Sequence, residues 1–329
     1  MELQWPLILF TTLTAWACGV FGCQGVLALA KARGGAGVGR GAAVGRGAGA
    51  DAGRGAGADA GCGAAVGRGA ARKSQMTLVV LSVVLLALGG IAVFFHLQHW
   101  ERIFNGFGHI TSGITQELIA IVVFVVIAVV YFAMLRKSGD GTVPAALAWC
   151  AIIISVVLAA VCAHSYMMPA RPAWNSVLEV LSIIGGGCLM GPATCAVVMA
   201  VRGDDVAPAG VPAVACAVVG LVFTVAYAVF IQMSGSNFTN VGNYFDPNNP
   251  LKGMIDVTAI AGEQSVLLWL GAVVVGALVP LVCCIAARKK GNSASWKVLG
   301  CVAVVAAVIG AICLRVAFYN MGLSVFMFY

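Results

Sequence analysis

Charge is what this sequence has least of. Only 9% of its 329 residues are charged, 61% are hydrophobic and the mean hydropathy is +1.00. An ordinary soluble domain carries about 25% charged residues, so a water-soluble globular enzyme is excluded at the start. Histidine is also scarce, with 4 in the whole chain. The 12 cysteines form no C-x-x-C pair, no C-x-x-C-H haem attachment site and no ferredoxin-like spacing. Most of them lie inside apolar runs, where cysteine acts as a small membrane-compatible hydrophobe. Strand-like alternation is missing too, which argues against a β-barrel.

What is present is a series of long apolar runs. A helix crosses the hydrocarbon core with about 20 apolar residues. Eight segments reach that length, near 5–30, 76–97, 114–135, 143–165, 175–201, 211–233, 264–287 and 297–317. The expected fold is an all-α polytopic membrane protein, a bundle of eight transmembrane helices forming one integral membrane domain over 1–329. The first run does not read as a cleaved signal peptide: Glu2 precedes it, and Lys31 and Arg33 follow it.

The basic residues give an orientation. Fifteen of the 19 Lys and Arg lie on one side: eight between Lys31 and Lys73, then Arg136, Lys137, Arg202, Arg288, Lys289, Lys290 and Lys297. Arg102, Arg171, Lys252 and Arg315 lie on the other. The positive-inside rule then places both termini outside the plasma membrane of a prokaryote. The net charge of +7 is thus a topology signal and not a nucleic-acid footprint. Residues 34–72 form a Gly/Ala/Arg-rich insert in which GRGAGADAG runs from Gly45 to Gly53 and again from Gly53 to Gly61. With so little apolar surface to offset chain entropy, this cytoplasmic segment is expected to be disordered.

Polar residues at membrane depth carry the functional information. His96 closes the second run, Arg102 follows it and Glu117 opens the third. His164 closes the fourth, Arg171 follows, Glu179 lies a turn into the fifth, and Arg315 is near the outer end of the eighth. All of these fall toward the outer face. A lipid quinol releases two protons with its two electrons, so its hydroxyls need acceptors that take protons. A neutral imidazole titrates near pH 6.5, and a partly buried carboxylate can be brought toward that range. An arginine keeps its charge and can orient a head group. His96 and Glu117 are therefore the candidate proton acceptors, with Arg102 and Trp100 as further quinol-binding residues. His164, Glu179 and Arg315 are secondary candidates.

Each residue has a plainer reading. His96 can be an interfacial histidine bonded to a loop carbonyl, and Glu117 a carboxylate favoured near a helix N-terminus. Arg171 can snorkel to lipid phosphate, and Glu179 can be a protonated carboxyl bonded within its helix. Trp5, Trp100, Trp174 and Tyr319 read as an interfacial aromatic belt. Two other functional classes are open. A single-haem b-type anchor would use His96 and His164. A small-solute transporter would use broken helices at Gly185–Gly187, Pro192 and Pro280, although no inverted repeat accompanies them.

Taken together, several short motifs resemble one family. Gln4-Trp5-Pro6-Leu7-Ile8-Leu9-Phe10-Thr11-Thr12, His96-Leu97, Arg102-x-Phe104-Asn105, Glu117 at the start of the third helix and Leu314-Arg315-x-x-Phe318-Tyr319 occur in order. They are similar to segments of the membrane-anchor subunit of the anaerobic dimethyl sulfoxide reductase family. Gln98 stands where that family has glycine, and the Gly/Ala/Arg insert is foreign to it. The resemblance implies an anchor that oxidises menaquinol at His96, Arg102 and Glu117. It implies electron transfer to an iron–sulfur subunit, which feeds a molybdopterin catalytic subunit in anaerobic respiration. Menaquinol would be a bound substrate, with no metal or haem held by this chain and membrane lipid as its surroundings.

Overall fold

A computed structural model describes residues 4–44, 57–96, 108–234 and 257–323; side chains are described outside 33–44 and 57–70. Among the described residues it is a bundle of helices without a sheet. Eight helices are long and apolar enough to cross a membrane: α1 (Trp5–Ala32), α2 (Ala71–Phe94), α3 (Gly113–Lys137), α4 (Ala145–His164), α5 (Val177–Arg202), α6 (Ala207–Met233), α7 (Val257–Lys290) and α8 (Ser293–Asn320). Helical backbone continues past α1 to Val44 and begins before α2 at Gly57. The middle of the Gly/Ala/Arg insert, 45–56, lies outside the described residues. The eight expected spans are all present. The largest boundary difference is at α7, which begins at Val257 instead of 264, because a short α-helical segment, Val257–Glu263, precedes a turn at Gln264 where polar residues interrupt the apolar run.

The helix ends follow from local chemistry. Ser176 caps α5 by accepting from the Leu178 N–H at 3.2 Å, and the helix stops at Gly203, whose φ of 78° few other residues adopt. α7 and α8 are joined by Gly291 and Asn292, the asparagine side chain accepting from the Ser295 N–H at 2.7 Å. α5 runs unbroken through Gly185–Gly187 and Pro192. α7 passes from α-helical to π-helical winding over Val266–Leu278 and resumes α-helical winding at Val279, beside Pro280. The residues proposed from sequence as helix breaks thus lie within continuous helices.

α1 and α5 are the most buried spans. They approach so closely that a Cβ added at Gly19 would fall 2.1 Å from the Gly187 carbonyl oxygen. Small residues permit this contact, which suits a bundle whose lipid-facing surface supplies no hydrophobic drive for helix association. The opposite pattern appears on α3, where Val122, Val126 and Val129 are exposed as lipid-compatible side chains. Basic side chains gather at one end of the bundle. Lys31 Nζ donates to the Asp140 carbonyl at 2.7 Å, and Arg202 donates to Thr77 Oγ1 at 2.8 Å. The opposite end carries Gln4, His96, Glu117, Arg171 and Tyr319.

Candidate functional site

The cavity at that end is built where five chain segments meet: the starts of α1 and α3, the end of α2, the connection after α4 and the end of α8. The last turn of α2 tightens through the Phe95 and His96 N–H groups, which donate to Ala92 and Val93 carbonyls at 3.2 and 3.0 Å. This leaves His96 exposed at the mouth. α3 starts at Gly113, which packs so near Ser165 that an added Cβ would lie 2.8 Å from the serine Cβ. That approach sets Glu117, one turn further on, against the end of α4. The Ser165 hydroxyl donates to Glu117 Oε1 and also reaches the Cys162 carbonyl at 3.0 Å. Glu117 is half-buried, held by a neighbour that can follow its protonation state.

The cavity has a volume of about 1250 Å³, enough for a drug-sized or larger ligand. His96 and Glu117 both line it. Below this polar mouth the wall is apolar, with Val83, Leu86, Ala87 and Gly90 from α2 facing Leu118, Ile121 and Val125 from α3. At 1.5 Å per residue, the α2 wall from Val83 to His96 is roughly 20 Å long. The site therefore suits an amphiphile with a polar head and a long apolar body.

An aromatic wall completes the mouth. Trp174 stacks on Phe318 with ring centroids 4.6 Å apart, and its indole N–H donates to the Phe318 carbonyl at 2.7 Å. Tyr166 meets Trp174, Phe318 and Tyr319 edge-on at 6.0, 5.8 and 6.1 Å. Burial pushes the Tyr166 phenol well above its usual range, so it stays protonated at neutral pH. The Arg171 guanidinium lies 4.4 Å from the Trp174 ring centre and donates to the Gly322 carbonyl at 2.8 Å. Arg171 therefore ties the α4–α5 connection to the end of α8, where the sequence suggested a lipid phosphate as its partner.

The structure separates the other sequence candidates. Glu179 and Arg315 form a buried ion pair between α5 and α8. Arg315 Nη2 also donates to Ser182 Oγ at 2.5 Å, and Ser182 donates to the Glu179 carbonyl at 2.7 Å. Arg315 borders a separate void of about 20 Å³ with Thr12, Ser182 and Thr224. His164 is exposed and is not part of the large cavity's wall. Trp100 and Arg102 lie outside the described residues. So do most of residues 98–113 and 234–263.

Trp174 and Tyr319 differ from the belt role read from sequence. They are 6% exposed each, against 51% for Trp5, because they pack on one another's elements and not on lipid. Ser165, Tyr166 and Gly90 were missed as cavity residues. The signal for the first two was their position directly after His164, at the same membrane depth as His96 and Glu117. Nothing in the sequence marks Gly90. Among the described residues there is no group of three or more His, Cys, Asp or Glu arranged to hold a metal ion. Compared with protein-family models, with curated proteins and with solved structures, the chain matches none of the three.

Proposed function

We propose that this polytopic membrane protein is a quinol-oxidising anchor subunit of a molybdopterin oxidoreductase of the dimethyl sulfoxide reductase kind. The observation that carries the reading is that His96 and Glu117, singled out for proton chemistry, line one cavity with a polar mouth and a long apolar trough. Menaquinol is the bound substrate. Its ring lies at the mouth and its isoprenoid tail along the α2–α3 wall. One hydroxyl proton passes to the His96 imidazole and the other to the Glu117 carboxylate, which Ser165 stabilises as an acceptor. The two electrons leave for the cluster of an iron–sulfur partner and continue to the molybdopterin subunit. By the positive-inside rule the site and both termini face outward, and the outer connections, including 166–174, dock the partner so that the electron path is short.

The test is His96→Ala in the intact complex. Quinol-dependent turnover is expected to be abolished, while dye-driven activity of the catalytic partner subunits persists. Full quinol-linked activity in that variant would remove His96 from the mechanism. Purifying the tagged chain from its native membranes in mild detergent tests the partners, since an iron–sulfur and a molybdopterin subunit should accompany it. The haem alternative gains no support from His164, which is exposed away from the cavity wall.

A further inference from the structure

The turn between α7 and α8 concentrates charge of one sign. Arg288, Lys289 and Lys290 close α7, Gly291 and Asn292 make the turn, and Lys297 stands near the start of α8. All four cations are exposed. The sequence holds no Asp or Glu after Glu263, so neither helix end brings a counterion. The acids of the α5–α6 turn are engaged elsewhere. Asp205 accepts from the Ala207 N–H at 3.0 Å, and Asp204 is buried, where its charge acts on Lys31. Among the described residues no carboxylate forms an ion pair with any of the four cations. Chain orientation and the C-terminal dipole of α7 account for some positive charge here. They do not account for what lies beneath it.

Below Lys297, the α8 side chains Val298, Val302, Val305 and Ile309 are 65%, 46%, 58% and 47% exposed. Spacings of four, three and four residues keep them along one side of the helix. At 1.5 Å per residue the stripe is roughly 16 Å long, half of a hydrocarbon core about 30 Å thick. The head of the stripe is held in place. A Cβ added at Gly210 of α6 would fall 3.4 Å from Arg288 Cγ and 3.6 Å from the Trp296 ring, so both side chains lie over that glycine. Trp296 is buried there, and Lys297 beside it faces outward. We propose that this hairpin end binds an anionic phospholipid, with its phosphate among Arg288, Lys289, Lys290 and Lys297 and an acyl chain along the α8 stripe. A zwitterionic lipid fits the stripe equally well, but it adds a cation where four already stand. Selection is therefore by head group, at about fivefold in affinity for each Lys or Arg. The assignment is independent of the large cavity, which lies at the other end of the bundle.

The experiment uses the full chain, purified in mild detergent with any subunits that accompany it. It is offered equal amounts of phosphatidylglycerol and phosphatidylcholine with the same acyl chains, and the retained lipid is counted by native mass spectrometry. Wild type should retain phosphatidylglycerol in preference. Lys290→Gln with Lys297→Gln should cut that preference at least about tenfold, since two cations are lost. Arg136→Gln with Lys137→Gln removes the same charge from the exposed end of α3 and should leave the preference within about twofold. Lys290→Arg with Lys297→Arg keeps the charge and should keep the preference, which separates binding from any loss of folding. Equal retention of the two lipids by wild type would overturn the assignment. So would equal losses in the two glutamine variants, which would show a diffuse field and not a site, or loss of the preference in the arginine variant. Cross-links from Lys289 or Lys290 to an accompanying subunit would overturn it too, by placing a protein over the hairpin.

Discussion

An ion pair buried in a lipid-surrounded bundle is stable only when its remaining donors and acceptors are met as well. Glu179, with 0% exposure, and Arg315, with 4%, satisfy that condition through Ser182 and the Phe318 ring, whose centre lies 5.3 Å from the guanidinium carbon. Removing one partner strands the other. Glu179→Ala is expected to lower stability by about 3–5 kcal/mol, seen as a fall in the detergent unfolding midpoint. The double replacement Glu179→Leu with Arg315→Met should cost much less, because no charge is left unmet. A double variant as unstable as the single one would show that the pair itself, and not the stranded charge, is what matters. None of this was legible residue by residue. The two partners are 136 positions apart, and hydropathy says that each is costly without saying that they meet. His96 and Glu117 were legible because both stand at helix ends on the same membrane face, within one short connection. Tyr319 was misplaced for the converse reason: an aromatic residue near a span end looks the same in sequence whether it faces lipid or a neighbouring helix.

At the scale of elements, the wall between α2 and α3 determines what the cavity admits. Gly90 lines it, and a Cβ added there meets nothing within 4 Å. Gly90→Leu therefore places bulk in the trough without displacing a neighbour. It also replaces a poor helix former, so stability should hold or rise by up to about 1 kcal/mol. Quinol-linked turnover is nevertheless expected to fall at least about tenfold if a tail occupies that space, a loss above about 1.4 kcal/mol. Unchanged turnover would place the tail elsewhere. The adjacent Gly89 differs, since its Cβ would touch the Leu13 Cβ and the Phe10 carbonyl at 3.4 Å. Span lengths were readable because the thickness of hydrocarbon imposes them directly on the chain. Which helices touch was not readable. The contact of α1 with α5 depends on Gly19, Gly187 and Gly191 arriving at the same height from distant parts of the chain.

For the whole molecule, an even number of spans brings Gln4 and Tyr319 to the same cavity, so both ends of the described bundle lie together. The basic residues at the opposite end predict which side this is. A reporter active only outside the membrane should work when fused after residue 329 and fail when fused after Gly139, in the α3–α4 turn beside Lys137. The reverse result would invert the orientation and put the quinol site on the cytoplasmic side. The class of protein and the number of long apolar spans were already written in the order of the amino acids. They follow from the free energy of placing single side chains and backbone groups in lipid or water, which each segment meets alone. That Glu117 is held by Ser165, that Glu179 answers Arg315, and that Tyr319 packs edge-on against Tyr166 and Trp174 emerged solely from the packed bundle. Those facts depend on how the helices rotate and pack, and that choice is made by close contacts between segments far apart in the chain.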